Sequence, residues 1–162
     1  MTITAAWLRS IGGVRELVLA ADSRLTGGYC WDACPKLLPL PRGDCALSFA
    51  GDTGFAYPVM LQIASAVRMY PKARHRSQDL FDFKGKVLEI INEMRTHIHS
   101  AVPAEAAPGE EQTFLLLAGY SWRESTFAIW TLHFGFIGEF RGRRPGFSGR
   151  SRHRPGSRRP SA

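Results

Sequence analysis

The chain has 162 residues, of which 44% are hydrophobic and 22% are charged, and it includes ten Phe and four Trp. This length and apolar content predict one domain with a single core. They exclude a disordered chain and a collagen-like repeat, and three Cys exclude a disulfide scaffold. No apolar run reaches the roughly 18 residues that span a bilayer, and no signal peptide is recognisable. We therefore expect a cytoplasmic protein with no membrane partner.

The net charge of +7 comes from the end of the chain. Eight of the 21 Lys and Arg residues are Arg within 141–162, where there is no acid; the remaining 13 stand against 14 acids, so residues 1–140 sum to −1. Residues 135–162 are rich in Arg, Gly, Pro and Ser, and we expect them to form a disordered tail after a domain of residues 1–134. Three explanations of the tail stay open: an electrostatic arm for nucleic acid or an acidic partner, a solvated tail, and out-of-frame coding sequence.

The first 50 residues show strand patterns. Residues 2–9 and 15–22 are β-rich runs on either side of a Gly-containing hairpin loop, and residues 36–40 and 44–50 form a second pair. Pro39 cannot donate a main-chain hydrogen bond, which places its strand at an edge or a bulge.

Two helices are predicted next. Apolar residues recur at helical intervals from Thr53 to about Tyr70. They do so again in a second segment that ends near His99, with Ser77 or Asp79 as the N-terminal cap.

Two apolar strands, 113–120 and 127–134, follow a Pro- and Glu-rich loop. The predicted order is four strands, two helices and two strands. This order is typical of an α+β fold that has antiparallel sheets and two or more layers.

Four residues in the first half of the chain are candidates for a catalytic site. Thr2 follows the initiator Met, and a free N-terminal Thr carries its own general base, because the α-amine has a pKa of about 7.7–8.0. Asp22 ends a strand and Lys36 opens the next; a buried Lys held by a carboxylate would ease formation of an alkoxide. Gly51 exposes a backbone N–H before a helix, which suits an oxyanion. Each residue alone also has an ordinary structural explanation.

Taken together, these segments resemble a known family. TITAAW, ELVLAADSR, PKLLPL and CALSFAGDTGFAYPVMLQI are similar to the N-terminal half of proteasome β-type subunits, which are N-terminal-nucleophile (Ntn) hydrolases. The nearest expected relatives are small bacterial proteasome-like proteins. LLLAGY and FAIWTLHF resemble the strand pair after the family's two central helices, so the similarity extends to about residue 134. The resemblance implies an αββα sandwich of antiparallel sheets that lacks its C-terminal part, because nothing in residues 135–162 matches the family's closing elements.

The resemblance also implies a role for each residue. Thr2 would be the nucleophile and, through its amine, the general base. Lys36 would lower the pKa of the Thr2 hydroxyl, and Asp22 would orient Lys36 and the N-terminus. The amide of Gly51 would stabilise the tetrahedral oxyanion.

The family builds its pocket for substrate side chains where Phe49 and Thr53 fall. The implied reaction is hydrolysis of a peptide or other amide through an acyl ester, with no cofactor. The family also implies self-association or assembly with related subunits.

The His and Cys residues do not indicate a metal site. His97 and His99 do not share a helix face, so they indicate a solvated helix end and not a metal site. Cys30 and Cys34 have no second pair, which argues against zinc. Three functions stay open: an N-terminal-threonine hydrolase, a catalytically inactive truncated relative, and a nucleic-acid-binding protein that acts through its Arg-rich tail.

Overall fold

The computed structural model describes residues 3–27, 29–97, 113–134 and 140–144. Within these ranges the fold is α+β, and every pair of neighbouring strands is antiparallel. The strands are β1 (Thr4–Ile11), β2 (Val14–Ala21), β3 (Leu25–Gly27), β4 (Tyr29–Trp31), β5 (Leu37–Pro39), β6 (Cys45–Ala50), β7 (Phe114–Ser121), β8 (Thr126–Phe134) and β9 (Phe140–Arg143). The helices are α1 (Thr53–Met69), α2 (Pro71–Arg74) and α3 (Leu80–Arg95).

Strands β1 and β2 form a hairpin that is tighter than the predicted one. The two strands run to Ile11 and Val14, so that only Gly12 and Gly13 form the turn. Both glycines have positive φ, +57° and +83°, which is the backbone of a two-residue turn whose twist matches the flanking strands. Two consecutive glycines therefore allow longer strands than the predicted runs at 2–9 and 15–22.

The main sheet has five strands in the order β5-β6-β7-β8-β9. Pro39 lies in β5, at an edge of this sheet, which confirms the prediction from its missing N–H. Gly119 of β7 lies very close to the start of β6. A Cβ built at Gly119 would lie only 2.5 Å from the carbonyl oxygen of Asp44, the residue before β6.

Strand β9 corrects the predicted tail. We expected residues 135–162 to be disordered, yet Phe140–Arg143 pairs with β8 and extends the sheet. Main-chain hydrogen bonds to an available strand edge need no apolar side chains, so a strand can form there despite its polar composition. Arg144 then lies over the Phe81 ring, 4.4 Å from its centre. The rest of the predicted tail, 135–139 and 145–162, lies outside the described residues.

The helices and the hairpin lie on opposite faces of the five-stranded sheet. Leu47 and Phe49 of β6 share one buried core with Val59 and other apolar residues of α1 and α3. Ser48, which lies between them on the strand and points to the other face, has its Oγ 2.6 Å from Oγ1 of Thr4 in the hairpin. The order of layers is therefore helices, sheet and hairpin.

An Asp caps each of the two long helices. Asp52 accepts a hydrogen bond from the Phe55 N–H at 2.7 Å, and Asp79 accepts one from the Phe81 N–H at 3.0 Å. Of the two predicted caps for α3, the structure thus selects Asp79. Helix α3 ends at Arg95, four residues before the predicted end.

None of the helices in the described ranges is both long enough and apolar enough to cross a membrane.

Candidate functional site

Asp22 connects the start of the chain to Lys36. One carboxylate oxygen, Oδ2, lies 2.9 Å from the Lys36 Nζ, and the other, Oδ1, accepts a hydrogen bond from the Ile3 N–H at 2.9 Å. The Asp22 N–H donates in turn to the Ile3 carbonyl oxygen at 3.0 Å. A single side chain therefore contacts both the first described residue and the segment that leads into β5.

The hairpin register explains why Asp22 meets Ile3. Thr4 pairs with Ala21, so the next residue outward on each strand is Ile3 on one side and Asp22 on the other. The segment before β5 is held against the end of β2 by the Cys34 N–H, which donates to the Ser23 carbonyl oxygen at 3.0 Å. The hairpin pairing and the Cys34–Ser23 hydrogen bond thus bring Ile3, Asp22 and Lys36 together.

The ion pair is asymmetric in its burial. The Lys36 side chain is fully buried, whereas 31% of the Asp22 side chain is exposed. Burying an ammonium group is costly unless a carboxylate lies beside it, so Asp22 stabilises Lys36 where it is. The hydrogen bond from Lys36 lowers the pKa of Asp22, and the bond from the Ile3 N–H lowers it further. Asp22 is therefore ionised at neutral pH.

Thr2, the predicted nucleophile, lies outside the described residues. Its chain neighbour Ile3 is described and carries the hydrogen bonds to Asp22. The structure thus brings Asp22 and Lys36 together at the position where the chain leads to Thr2.

Gly51 lies at the point where β6 ends and α1 begins. Its φ is +112°, a conformation that favours glycine over residues with a Cβ. The next residue, Asp52, caps α1 with its carboxylate. We predicted that the helix N-terminus would favour an anion at Gly51, but the negative charge of Asp52 opposes that effect. An oxyanion here would depend on the Gly51 amide itself.

The two predicted substrate-pocket residues differ in their exposure. Phe49 is fully buried in the core between helices and sheet, so its side chain has no surface to offer a substrate. It contacts Tyr57 edge to face, with ring centres 6.1 Å apart. Thr53, the first residue of α1, is half-buried. Phe49 therefore cannot contact a substrate directly.

Four residues near this region had no predicted role in the site. Cys34 is buried and donates a hydrogen bond from Sγ to the Tyr57 hydroxyl oxygen at 3.4 Å. Tyr57 follows Thr53 by one helical turn, a spacing that could have identified it. Thr4 and the fully buried Ser48 gave no signal, because a small hydroxyl residue in a strand is ordinary.

In the described ranges, no cluster of three or more His, Cys, Asp and Glu side chains is present. Cys30 is exposed while Cys34 is buried, and both are free thiols. His97 lies 3.6 Å from Glu93 on the solvent side of α3, and His99 is outside the described residues.

No protein-family model matches the chain, and no curated protein matches it. The function is therefore inferred from this chain's own residues and their contacts.

Proposed function

We propose that the protein is an N-terminal-threonine amide hydrolase of the Ntn type, related to proteasome β-type subunits. The observation that carries the proposal is the Asp22 carboxylate, which joins the buried Lys36 ammonium to the Ile3 N–H. This places a positive charge and its orienting carboxylate next to the residue that follows Thr2. The layer order of helices, sheet and hairpin supports, as the finer description of the fold, the first three layers of an αββα sandwich.

In the acylation step, the Thr2 amine accepts the proton of the Thr2 hydroxyl while the oxygen attacks the carbonyl carbon of the substrate. The carbonyl electron pair moves onto its oxygen, which accepts a hydrogen bond from the Gly51 amide. Collapse of this intermediate breaks the C–N bond, and the leaving amine takes the proton from the Thr2 ammonium. The product is an ester between the acyl group and Thr2.

In the second step, water attacks this ester and gives its proton to the Thr2 amine. The ester C–O bond breaks, the carboxylic acid leaves, and the Thr2 hydroxyl regains its proton. In both steps the charge of Lys36 stabilises the developing alkoxide, and Asp22 keeps Lys36 in place. The substrate class is a peptide or another amide, and the expected cytoplasmic location is part of the proposal.

The first test is chemical. Intact-mass measurement should find Met1 removed, because a chain that retains Met1 has no amine at Thr2. The protein should hydrolyse a fluorogenic peptide and form an adduct at Thr2 with an electrophilic peptide probe. Thr2→Ser should retain part of both activities, and Thr2→Ala should abolish both. Equal labelling of the Thr2→Ala variant, or hydrolysis by a chain that keeps Met1, would refute the proposal.

A catalytically inactive relative is the second candidate. The observation that favours it is the Asp52 carboxylate, whose charge next to Gly51 disfavours an oxyanion. In that case the purified chain would lack Met1 and fold, but the probe would leave Thr2 unmodified.

The Arg-rich tail as an arm for nucleic acid stays a prediction, and its test is deletion of residues 145–162. Loss of salt-dependent binding to RNA or DNA in the shortened chain would support that role. Unchanged nucleic-acid binding in the shortened chain would contradict that role of the tail.

A further inference from the structure

The hairpin has a face that no described part of the chain covers. Thr4 points toward the five-stranded sheet. Because side chains alternate along a strand, every second residue from Ala5 onward on β1, together with its partner on β2, points away from that sheet. We call this set the outer hairpin face; it consists of Ala5, Trp7, Arg9, Ile11, Val14, Glu16, Val18 and Ala20.

Large apolar side chains dominate this surface. Trp7 is 44% exposed, Ile11 58% and Val14 62%. Contiguous apolar patches on soluble chains mark sites where another molecule binds. The outer hairpin face is therefore a candidate interface, and its pattern of side chains indicates what it binds.

Each row across the two strands pairs residues of matching character. Trp7 lies opposite Val18 and Ile11 opposite Val14, so these rows are apolar on both strands. In the row between them Arg9 lies opposite Glu16, with Nε 2.5 Å from Oε2. Every residue on this face thus has a complementary residue on the neighbouring strand.

We propose that the outer hairpin face binds the same face of a second copy of this chain, related by a two-fold axis parallel to the strands. Such an axis stacks β1 of one copy on β2 of the other without shifting the rows. Trp7 then lies against Val18 of the other copy, and Arg9 lies against Glu16 of the other copy. The two ion pairs combine into a cluster of four alternating charges.

The charged row argues against other occupants. A lipid surface or a purely apolar partner would cover the Arg9–Glu16 ion pair without offering it a further charge, so that only their mutual attraction would offset the desolvation of the two groups. A second copy supplies an opposite charge to each of them. The pattern therefore favours self-association, and this inference does not depend on the hydrolase proposal.

The expected dimer is weak. Strands of eight residues are about 26 Å long, and two of them side by side are about 10 Å wide. The resulting face, about 260 Å² on each copy, is smaller than a standard protein interface, so we expect a transient dimer with a dissociation constant of tens of micromolar.

Sedimentation equilibrium of the full chain across concentrations tests the proposal. The wild-type chain should be dimeric at about 0.1 mM and dissociate on dilution. Arg9→Glu makes the charged row entirely negative and Glu16→Arg makes it entirely positive, so each variant alone should have its dissociation constant raised by at least about tenfold. A mixture of the two variants should form a heterodimer, because every charge then faces its opposite. The double variant R9E/E16R should dimerise like the wild type.

The matched control is Met69→Lys, which adds a charge at an exposed apolar residue of α1, on the helix side of the sheet. It should leave the dissociation constant unchanged. A wild-type chain that sediments as a monomer at about 0.1 mM overturns the proposal whatever the variants do. So does a pair of folded charge variants that fail to associate when mixed, or a dimer that Met69→Lys weakens as much as Arg9→Glu does.

Discussion

The Asp22 carboxylate lies 2.9 Å from the ammonium of Lys36, whose side chain the fold buries completely. Most lysine side chains reach the solvent, and one that does not is held by its partners. This relationship gives the candidate site its charge and also contributes to the stability of the fold.

The first prediction concerns that stability. Asp22→Ala leaves the Lys36 charge buried without its carboxylate, and we expect the free energy of unfolding to fall by about 2–3 kcal/mol; the loss is smaller than for a fully buried pair because Asp22 is partly exposed. The Arg24–Asp32 pair is the matched control, since both of its side chains are more than half exposed. Asp32→Ala should lower the free energy of unfolding much less than Asp22→Ala does, because solvent screens an exposed pair. Urea denaturation of both variants gives the comparison, and equal losses would contradict it.

The second prediction concerns pH. Lys36 and the Ile3 N–H lower the pKa of Asp22 in the folded state below its ordinary value of 3.8. As the pH falls, Asp22 therefore becomes protonated at a higher pH in the unfolded chain than in the folded chain. The stabilisation from Asp22 is complete above the ordinary pKa and is lost as the pH falls through the lowered one.

Urea denaturation at a series of pH values, for the wild type and for Asp22→Asn, measures this effect. The difference in unfolding free energy should be constant near neutral pH and shrink in acid below about pH 4. A difference that stays constant across the acid range would mean that Asp22 has an ordinary pKa in the folded chain.

The third prediction separates the two effects of Asp52. Asn caps a helix about as well as Asp but carries no charge, so Asp52→Asn should keep α1 intact and remove the negative charge next to Gly51. If the Gly51 amide stabilises the oxyanion, kcat should rise by about fivefold, which corresponds to about 1 kcal/mol.

Asp52→Ala is the comparison for that variant. It removes both the cap and the charge, and the free energy of unfolding should fall by about 1 kcal/mol. A kcat that Asp52→Asn lowers or leaves unchanged would speak against an oxyanion at Gly51.

The fourth prediction uses two glycines with opposite surroundings. Gly85 lies within α3, and a Cβ built there meets nothing within 4 Å. Gly85→Ala should therefore raise the free energy of unfolding by about 0.5–1 kcal/mol, because alanine loses less backbone freedom on entering a helix. At Gly119 the Cβ would lie 2.5 Å from the Asp44 carbonyl oxygen, so Gly119→Ala should destabilise the chain. Thermal unfolding of the two variants should shift in opposite directions, and a stabilising Gly119→Ala would contradict the close approach of β6 and β7.

Local patterns in the sequence were sufficient for most of the helices and strands. The helix that begins at Thr53 and the apolar strand pair after α3 lie where their periodicity predicts them. Side-chain alternation and capping depend on neighbours within a few residues, and such neighbours can be read directly. Strand β9 was missed for the opposite reason, because it forms only where the edge of β8 offers hydrogen-bond partners.

For the candidate site as well, some features could be predicted from the sequence and others could not. The residue types at Asp22, Lys36 and Gly51 were recognisable in order along the chain, and so was the mixed character of the fold. Only the tertiary structure decided that Lys36 is buried and that Phe49 has no exposed surface. Burial and electrostatic environment depend on which distant segments pack together, and that packing results from the free energy of the whole chain and not from any local pattern.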